Sequence, residues 1–235
     1  MSEIKKLRDI DHSEAANVLV YGAAGTGKTT LIGTLPEPVL VLSAESGLMS
    51  LAASKGDIDV MTIADVEDLR SAYKMLAKTE HRYKWVALDS VSEIAEVVLA
   101  AEKTKSKDPR AAYGALIDSM TSLLKAFRDL PIGVYMTCKE ARDKDEATGR
   151  IMQSVGMPGA KLAQAIPYLF DEVLRLVVIV DKDSGERVRM LQTSPDATSD
   201  AKDRSGKLDA FEPADLGAIL QKLNGKQETK KASKQ

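Results

Sequence analysis

The sequence predicts an α/β fold: a mostly parallel central sheet flanked by helices and extended by a C-terminal antiparallel hairpin. Three observations lead there. From residue 17 onward, short continuous apolar runs alternate with stretches of helical spacing, the pattern of strands alternating with helices. The runs NVLVY (17–21), PVLVL (38–42), IDVMTI (58–63), KWVAL (84–88) and IGVYMTC (132–138) are each too brief for a helix and read as buried strands. After about residue 170 the pattern changes to EVLRLVVIV and RVRMLQT joined by DKDSGE, which reads as an antiparallel hairpin.

The helices follow in order. DVEDLRSAYKMLAKT puts Val66, Leu69, Tyr73 and Leu76 on one face, with Asp65 as N-cap and acidic Glu67 and Asp68 in the first turn. SVSEIAEVVLAA (90–101) follows the fourth strand. YGALIDSMTSLLKAFRDL aligns Leu116, Met120, Leu123, Leu124 and Phe127, and Pro131 ends it. EPADLGAILQKL closes the fold as a short helix, with Pro213 expected at its first position. These apolar stripes are core. The organisation is an N-terminal segment (1–16), one domain (17–223) and a lysine-rich tail (224–235) with nothing to bury.

Composition narrows the function. With 235 residues, 44% hydrophobic and 29% charged, the chain has material for one substantial core. A net charge of −2 excludes coating nucleic acid or membrane by bulk charge, so any nucleic-acid contact is concentrated in a local groove. The longest greasy run, VLRLVVIV, contains Arg175 and is too short to span a bilayer, and the first residues have no apolar signal core. A soluble cytoplasmic protein without membrane partners is expected. Cys138 is the only cysteine, and His12 and His81 are the only histidines, so neither an internal disulfide nor a Cys/His zinc site can form. Cys138 ends an apolar run and reads as a small buried residue.

The strongest chemical signal is YGAAGTGKTTL, directly after a strand and before a helix-compatible run. Gly22, Gly25, Thr26, Gly27, Lys28, Thr29 and Thr30 form a phosphate-binding loop. Its glycines let backbone N–H groups turn inward, Lys28 neutralises β- and γ-phosphate charge, and the Thr29 hydroxyl ligates Mg²⁺ at the positive end of the following helix. ATP and Mg²⁺ are the expected ligands. A carboxylate at the end of a neighbouring buried strand normally holds the metal's water shell, and VALDS supplies Asp89, which is also placed to cap helix 90–101. Glu45, after the strand ending in VLVLSAESG, sits at the carboxyl edge where ligands bind in such sheets; it is a candidate base or an exposed loop residue.

Together these motifs, in this order, resemble the RecA-like recombinase core over roughly 17–210. They are most similar to small phage-encoded RecA-like ATPases that act with single-stranded-DNA-binding protein in single-strand annealing. The resemblance implies a RecA-like P-loop fold, DNA-stimulated ATP hydrolysis with Glu45 activating water, and a homo-oligomer on single-stranded DNA. For a phage protein the compartment would be the bacterial host cytoplasm. It implies two DNA-binding loops, matched by KTKSKDPRAA (103–112) with Lys103, Lys105, Lys107 and Arg110, and by KEARDKDEATGRIMQSVGMPG (139–159) with Lys139, Arg142 and Arg150. Where recombinases place a glutamine that senses γ-phosphate, this chain has Thr137, Cys138 and Lys139. Aromatic residues make up only 4% of the chain, so backbone tracking is a better fit than base stacking.

In SDAKDRSG (199–206), Lys202 and Arg204 match the basic residues that a neighbouring subunit contributes to catalysis in RecA-like assemblies. Two apart in extended chain, they project to one side. A solvated turn, or salt bridges to Asp200 and Asp203, are the alternatives. Three rivals share the phosphate loop. A GTPase needs an N-K-x-D motif, which is absent; a small-molecule kinase needs an arginine-bearing lid; an AAA+ remodelling ATPase normally adds a helical lid domain, for which no room is expected after residue 193.

Overall fold

The computed structural model describes residues 16–45, 48–52, 54–78, 80–146, 148–182 and 184–225. The N-terminal segment up to residue 15, Gly47, and the tail lysines from Lys226 onward lie outside the described residues.

The elements run β1 (Asn17–Gly22), a 3-10 turn (Thr30–Thr34), β2 (Val39–Ser43), β3 (Ile58–Thr62), α1 (Val66–Leu76), β4 (Trp85–Asp89), α2 (Val91–Lys105) and α3 (Pro109–Arg128). Then follow β5 (Gly133–Lys144), β6 (Ile151–Gly156), α4 (Ala160–Ala165), β7 (Glu172–Val180), β8 (Arg187–Gln192), β9 (Lys202–Asp203), β10 (Phe211–Pro213) and α5 (Leu216–Leu223). The strands all belong to one sheet of order β10-β8-β7-β1-β5-β4-β2-β3, with β6 on β5 and β9 on β7. The six strands from β7 to β3 pair in parallel, and the expected C-terminal hairpin is the antiparallel pair β7–β8. The result is the expected mostly parallel sheet flanked by helices, with a terminal antiparallel hairpin.

The period of two along each buried strand divides the core between the faces. Leu19 and Tyr21 of β1, with Leu40 and Leu42 of β2, pack toward α1, α2 and α3. Val18, Val20, Val39 and Val41 pack on the other face with Leu31, Ile32 and the apolar side of α5. Among the described residues, no helix is long and apolar enough to cross a membrane.

Local chemistry explains the helix starts. Asp65 caps α1 by accepting from the backbone N–H groups of Glu67 and Asp68, at 2.8 and 3.0 Å, while the Asp68 carboxylate accepts from Asp65 N, closing a capping box. Asp108 caps α3, with Pro109 at its first position.

Four expectations are corrected. The segment after the phosphate loop is a single 3-10 turn, because Leu35 precedes Pro36 and adopts an extended conformation (φ −72°, ψ 151°) that stops the helix. The stretch 103–112 is a tight helix–helix corner: α2 continues through Lys105 and α3 begins at Pro109. Most of 139–159 is a β-hairpin, since β5 continues through Lys144 and pairs with β6 from Lys139↔Gly156 to Lys144↔Ile151. Pro213 lies in edge strand β10, and Asp215 caps α5 through Ala218 N at 3.0 Å.

Candidate active site at the carboxyl edge of the sheet

The phosphate loop leaves the carboxyl end of β1 and needs its glycines for stated reasons. Gly25 and Gly27 have φ of +74° and +103°, in the region where side chains are strained. At Gly22 a Cβ would lie 2.7 Å from the carbonyl oxygen of Leu176 on β7. Thr26 Oγ1 donates to Ala23 O at 2.9 Å, bracing the loop from within. Lys28 Nζ donates to Gly22 O and Ala23 O, at 2.9 and 3.1 Å. Burial pushes its pKa down, against Asp89 and Glu45, which pull it up. Buried Tyr135 of β5 donates to Lys28 O at 2.9 Å and ties the loop to the sheet.

Sheet register supplies the acidic side. β2 and β4 pair in parallel with Ser43 opposite Asp89, so the two strands end abreast and Glu45 emerges beside Asp89. Ala44 N donates to Asp89 O at 3.1 Å. Asp89 is buried; its Oδ2 accepts from Thr29 Oγ1 at 2.7 Å, and its Oδ1 accepts from Thr137 Oγ1. The helix-capping alternative for Asp89 falls to Ser90, whose Oγ accepts from Glu93 N at 3.3 Å. The same hydroxyl donates to Glu45 Oε1 at 2.6 Å and aims that carboxylate into the cavity.

The cavity measures about 610 Å³ and is lined by the loop together with Glu45, Asp89, Lys139, Glu140 and Arg189. That size suits a nucleotide. Lys28 and Thr29 bond only to oxygens of their own chain, the type of atom that phosphate and metal ligands offer. Among the described residues no group of three His, Cys, Asp or Glu side chains surrounds a metal position. Mg²⁺ does not need one, because it is commonly held by one or two carboxylates plus substrate phosphates and water. The site therefore fits a Mg²⁺–nucleotide, with Thr29 and Asp89 as its metal-side residues. Thr30, in the 3-10 turn, lies exposed on the cavity rim.

A family model described as an AAA domain matches residues 14–205. The chain belongs to that family. This AAA domain is a P-loop ATPase domain. Among solved structures, a KaiC-like protein from the hyperthermophilic archaeon Pyrococcus horikoshii OT3 is similar over 76% of this chain and 77% of that chain, at 17% identity and a TM-score of 0.44. No curated protein matches the sequence.

The remaining candidates of the AAA domain fall in three places. Lys139 reaches the cavity rim, where an ion pair with Glu93 raises its pKa. Arg142 bonds Glu140 at 2.9 Å on the β5–β6 hairpin, and Arg150 is exposed near its turn. Burial pushes the Glu140 carboxyl up, but hydrogen bonds from Arg142 and Arg175 hold it below its ordinary range. The second group lies at the α2–α3 corner. Lys103 lies over the Tyr113 ring, Lys105 pairs with Glu102 at 2.7 Å, and Lys107 and Arg110 are exposed. Since α2 starts beside the site and rises 1.5 Å per residue, this corner lies about 20 Å away.

Lys202 and Arg204 form the third group, at the opposite edge of the sheet. β9 pairs with Glu172 and Val173, which stand beside Val18 and Leu19 near the start of β1. Lys202 Nζ donates to Pro167 O at 2.8 Å, and Arg204 pairs with Asp171 at 2.6 Å, not with Asp200 or Asp203. Burial and the neighbouring Arg204 lower the pKa of Lys202.

Sequence reasoning missed Glu140 and Arg189 as lining residues; Thr137, noted at the position of a γ-phosphate sensor, bonds Asp89. Cys138 is buried, its thiol pKa pushed up to about 12 by burial, as a structural cysteine requires. Arg189 had a signal: Arg187 and Arg189 are two apart in a strand of the hairpin whose other strand flanks β1.

Proposed function

We propose that this AAA domain hydrolyses ATP with Mg²⁺ in the P-loop cavity and works as a homo-oligomer on single-stranded DNA, promoting annealing or homologous recombination. The observation that carries the hydrolase reading is the convergence of Lys28, Thr29, Asp89 and Glu45 on one cavity by strand register.

Lys28 exchanges its loop carbonyls for phosphate oxygens, and the loop backbone receives the anion at the carboxyl end of β1. Bound Mg²⁺ supplies charge neutralisation at the phosphates, with Thr29 and Asp89 on its protein side. Water attacks the terminal phosphorus, the bond to the bridging oxygen breaks, and Glu45 accepts the proton while the Ser90 hydroxyl holds its carboxylate in place. Lys202 and Arg204, remote from their own P-loop, are offered to the site of an adjacent copy, where such cations stabilise transition-state charge. The DNA reading draws on the family resemblance and on exposed Arg142, Lys144 and Arg150, which decorate a hairpin continuous with the strand behind Asp89. A single-stranded-DNA-binding protein is the partner this reading brings with it.

The test is ATP turnover with and without single-stranded DNA at two salt concentrations, in parent, Lys28→Ala and Glu45→Gln proteins. Glu45→Gln is expected to lose about 10²- to 10⁴-fold in turnover and to keep ATP binding; unchanged turnover would make the protein a passive nucleotide binder. DNA is expected to stimulate the parent, with weaker binding at the higher salt. Absent stimulation together with absent salt-sensitive binding removes the recombination reading and leaves the ATPase.

A further inference from the structure

The cations that line the P-loop cavity are not equivalent. Lys28 is held by its own loop, and Lys139 is paired with Glu93. Arg189 is the lining cation with neither an ion pair nor a side-chain hydrogen bond among the described residues. It comes from β8, where it stands opposite Val178, and its guanidinium lies across Gly27: a Cβ there would sit 3.1 Å from Arg189 Nε and 3.3 Å from Cζ. Gly27, whose backbone angle already calls for glycine, thus lies directly beneath the arginine.

A second cavity, of about 650 Å³, adjoins the first. It is lined by Gly25, Val178, Arg187, Arg189 and Ala214, and the two cavities share Gly25 and Arg189. Arg187, two residues before Arg189 on the same strand, projects to the same side and is likewise exposed and without an ion pair among the described residues. Strand order gives this pair its direction. Asp89 and Glu45 arrive from β4 and β2 on one side of β1, and the two arginines arrive through β7 and β8 on the other. A nucleotide whose terminal phosphate lies by Glu45 and Asp89 therefore points its nucleoside end toward β8.

We infer that Arg189 holds the inner phosphates of a nucleoside di- or triphosphate from within the same chain, and that the cavity floored by Arg187 receives the nucleoside end. This rests on the reading of the P-loop cavity as a nucleotide site. A planar guanidinium with free donors suits phosphate oxygens, to which it bonds in a fork. The role is ground-state binding, so it extends to ADP as well as ATP, unlike the transition-state roles of Glu45 and Arg204.

The experiment is calorimetric titration of the full chain with ADP and, separately, with ATP, for the parent, Arg189→Ala, Arg189→Lys, Arg187→Ala and Lys28→Ala, with thermal melts confirming the folded state. Arg189→Ala is expected to raise the Kd of both nucleotides by about ten- to hundredfold, the scale of a charged hydrogen bond. Arg189→Lys should recover part of that loss, and Arg187→Ala should weaken both nucleotides by a smaller factor. Parent-like affinity in folded Arg189→Ala, with binding lost in Lys28→Ala, overturns this inference alone. Parent-like affinity in Lys28→Ala overturns the nucleotide-site reading beneath it. An Arg189→Ala protein that loses turnover but keeps its ADP affinity places the guanidinium at the terminal phosphate and also overturns the inference.

Discussion

The two edges of the parallel sheet carry charged clusters of different kinds. At the carboxyl edge, Lys28 and Thr29 rest on backbone carbonyls and one carboxylate, and Arg189 has no ion pair among the described residues. At the amino edge, Arg204 is paired to Asp171, Lys202 is bonded to a carbonyl, and Glu172 is buried beside Asp203. Both edges answer cations with acceptors of the same chain, but the first surrounds a cavity and leaves Arg189 without an ion pair among the described residues, as suits an anion site. For Lys202 and Arg204 to act on phosphate they must exchange those acceptors for a ligand presented by another copy, since their own P-loop lies at the far end of β1.

The sharpest way to break this contrast is Arg204→Ala. If the amino edge completes a neighbour's site, turnover falls by about 10³- to 10⁵-fold while nucleotide binding persists. Mixing Arg204→Ala with Glu45→Gln protein should then restore part of the turnover, because some boundaries pair an intact Glu45 with an intact Arg204. Equal turnover in mutant and parent, measured by phosphate release, returns the stretch to a structural role.

A smaller effect concerns how β9 is held. Burial, reinforced by Asp203 and Asp171, raises the Glu172 pKa from 4.5 to about 8. Between those values the folded state binds the extra proton, so this contribution to stability is full below about pH 4.5 and is lost as pH rises through 8. Glu172→Gln removes the titration. The parent should lose about 2 to 4 kcal/mol relative to the mutant between pH 5 and 8.5, read from denaturant midpoints. Parallel pH profiles would count against a protonated Glu172.

The smallest change sharpens the carboxyl edge. Thr137→Val keeps shape but removes the donor to Asp89 Oδ1 in a fully buried position. A loss of about 1 to 2 kcal/mol in stability is expected, with a higher Mg²⁺ requirement for turnover. If both quantities stay at parent values, Asp89 does not depend on that hydroxyl.

The phosphate loop, Asp89 and Glu45 were legible because each combines a residue type with a strand end, and parallel register then brings strand ends together without further information. The β7–β8 hairpin was legible from the change in period. The β5–β6 hairpin was not. Beyond Cys138 it leaves the core, and its charges are met within the hairpin, Glu140 by Arg142, or by neighbouring elements, Glu140 by Arg175 of β7 and Lys139 by Glu93 of α2. No apolar alternation marks it as strand. The α2–α3 corner was partly written in Asp108-Pro109, a cap followed by proline at the first helical position, but its lysines drew the reading toward a loop. The role of Arg189 depends on which strand lies beside the phosphate loop, and that is a property of sheet order rather than of any local stretch.

Strand β5 is 12 residues long and unbroken, from the buried core out to Lys144. Near its middle, Thr137 touches the carboxylate that faces the metal position; its outer half carries the exposed cations of the hairpin. At about 3.3 Å per residue, the tip stands roughly 23 Å beyond that contact. Such a strand is a lever with its fulcrum at the catalytic end. A tilt of about 5° at Thr137 would swing the tip by roughly 2 Å, the same order as a single hydrogen bond length. A change of contacts at Asp89 that tilted this strand would therefore be felt as displacement at the hairpin, with no mobile loop required to carry it.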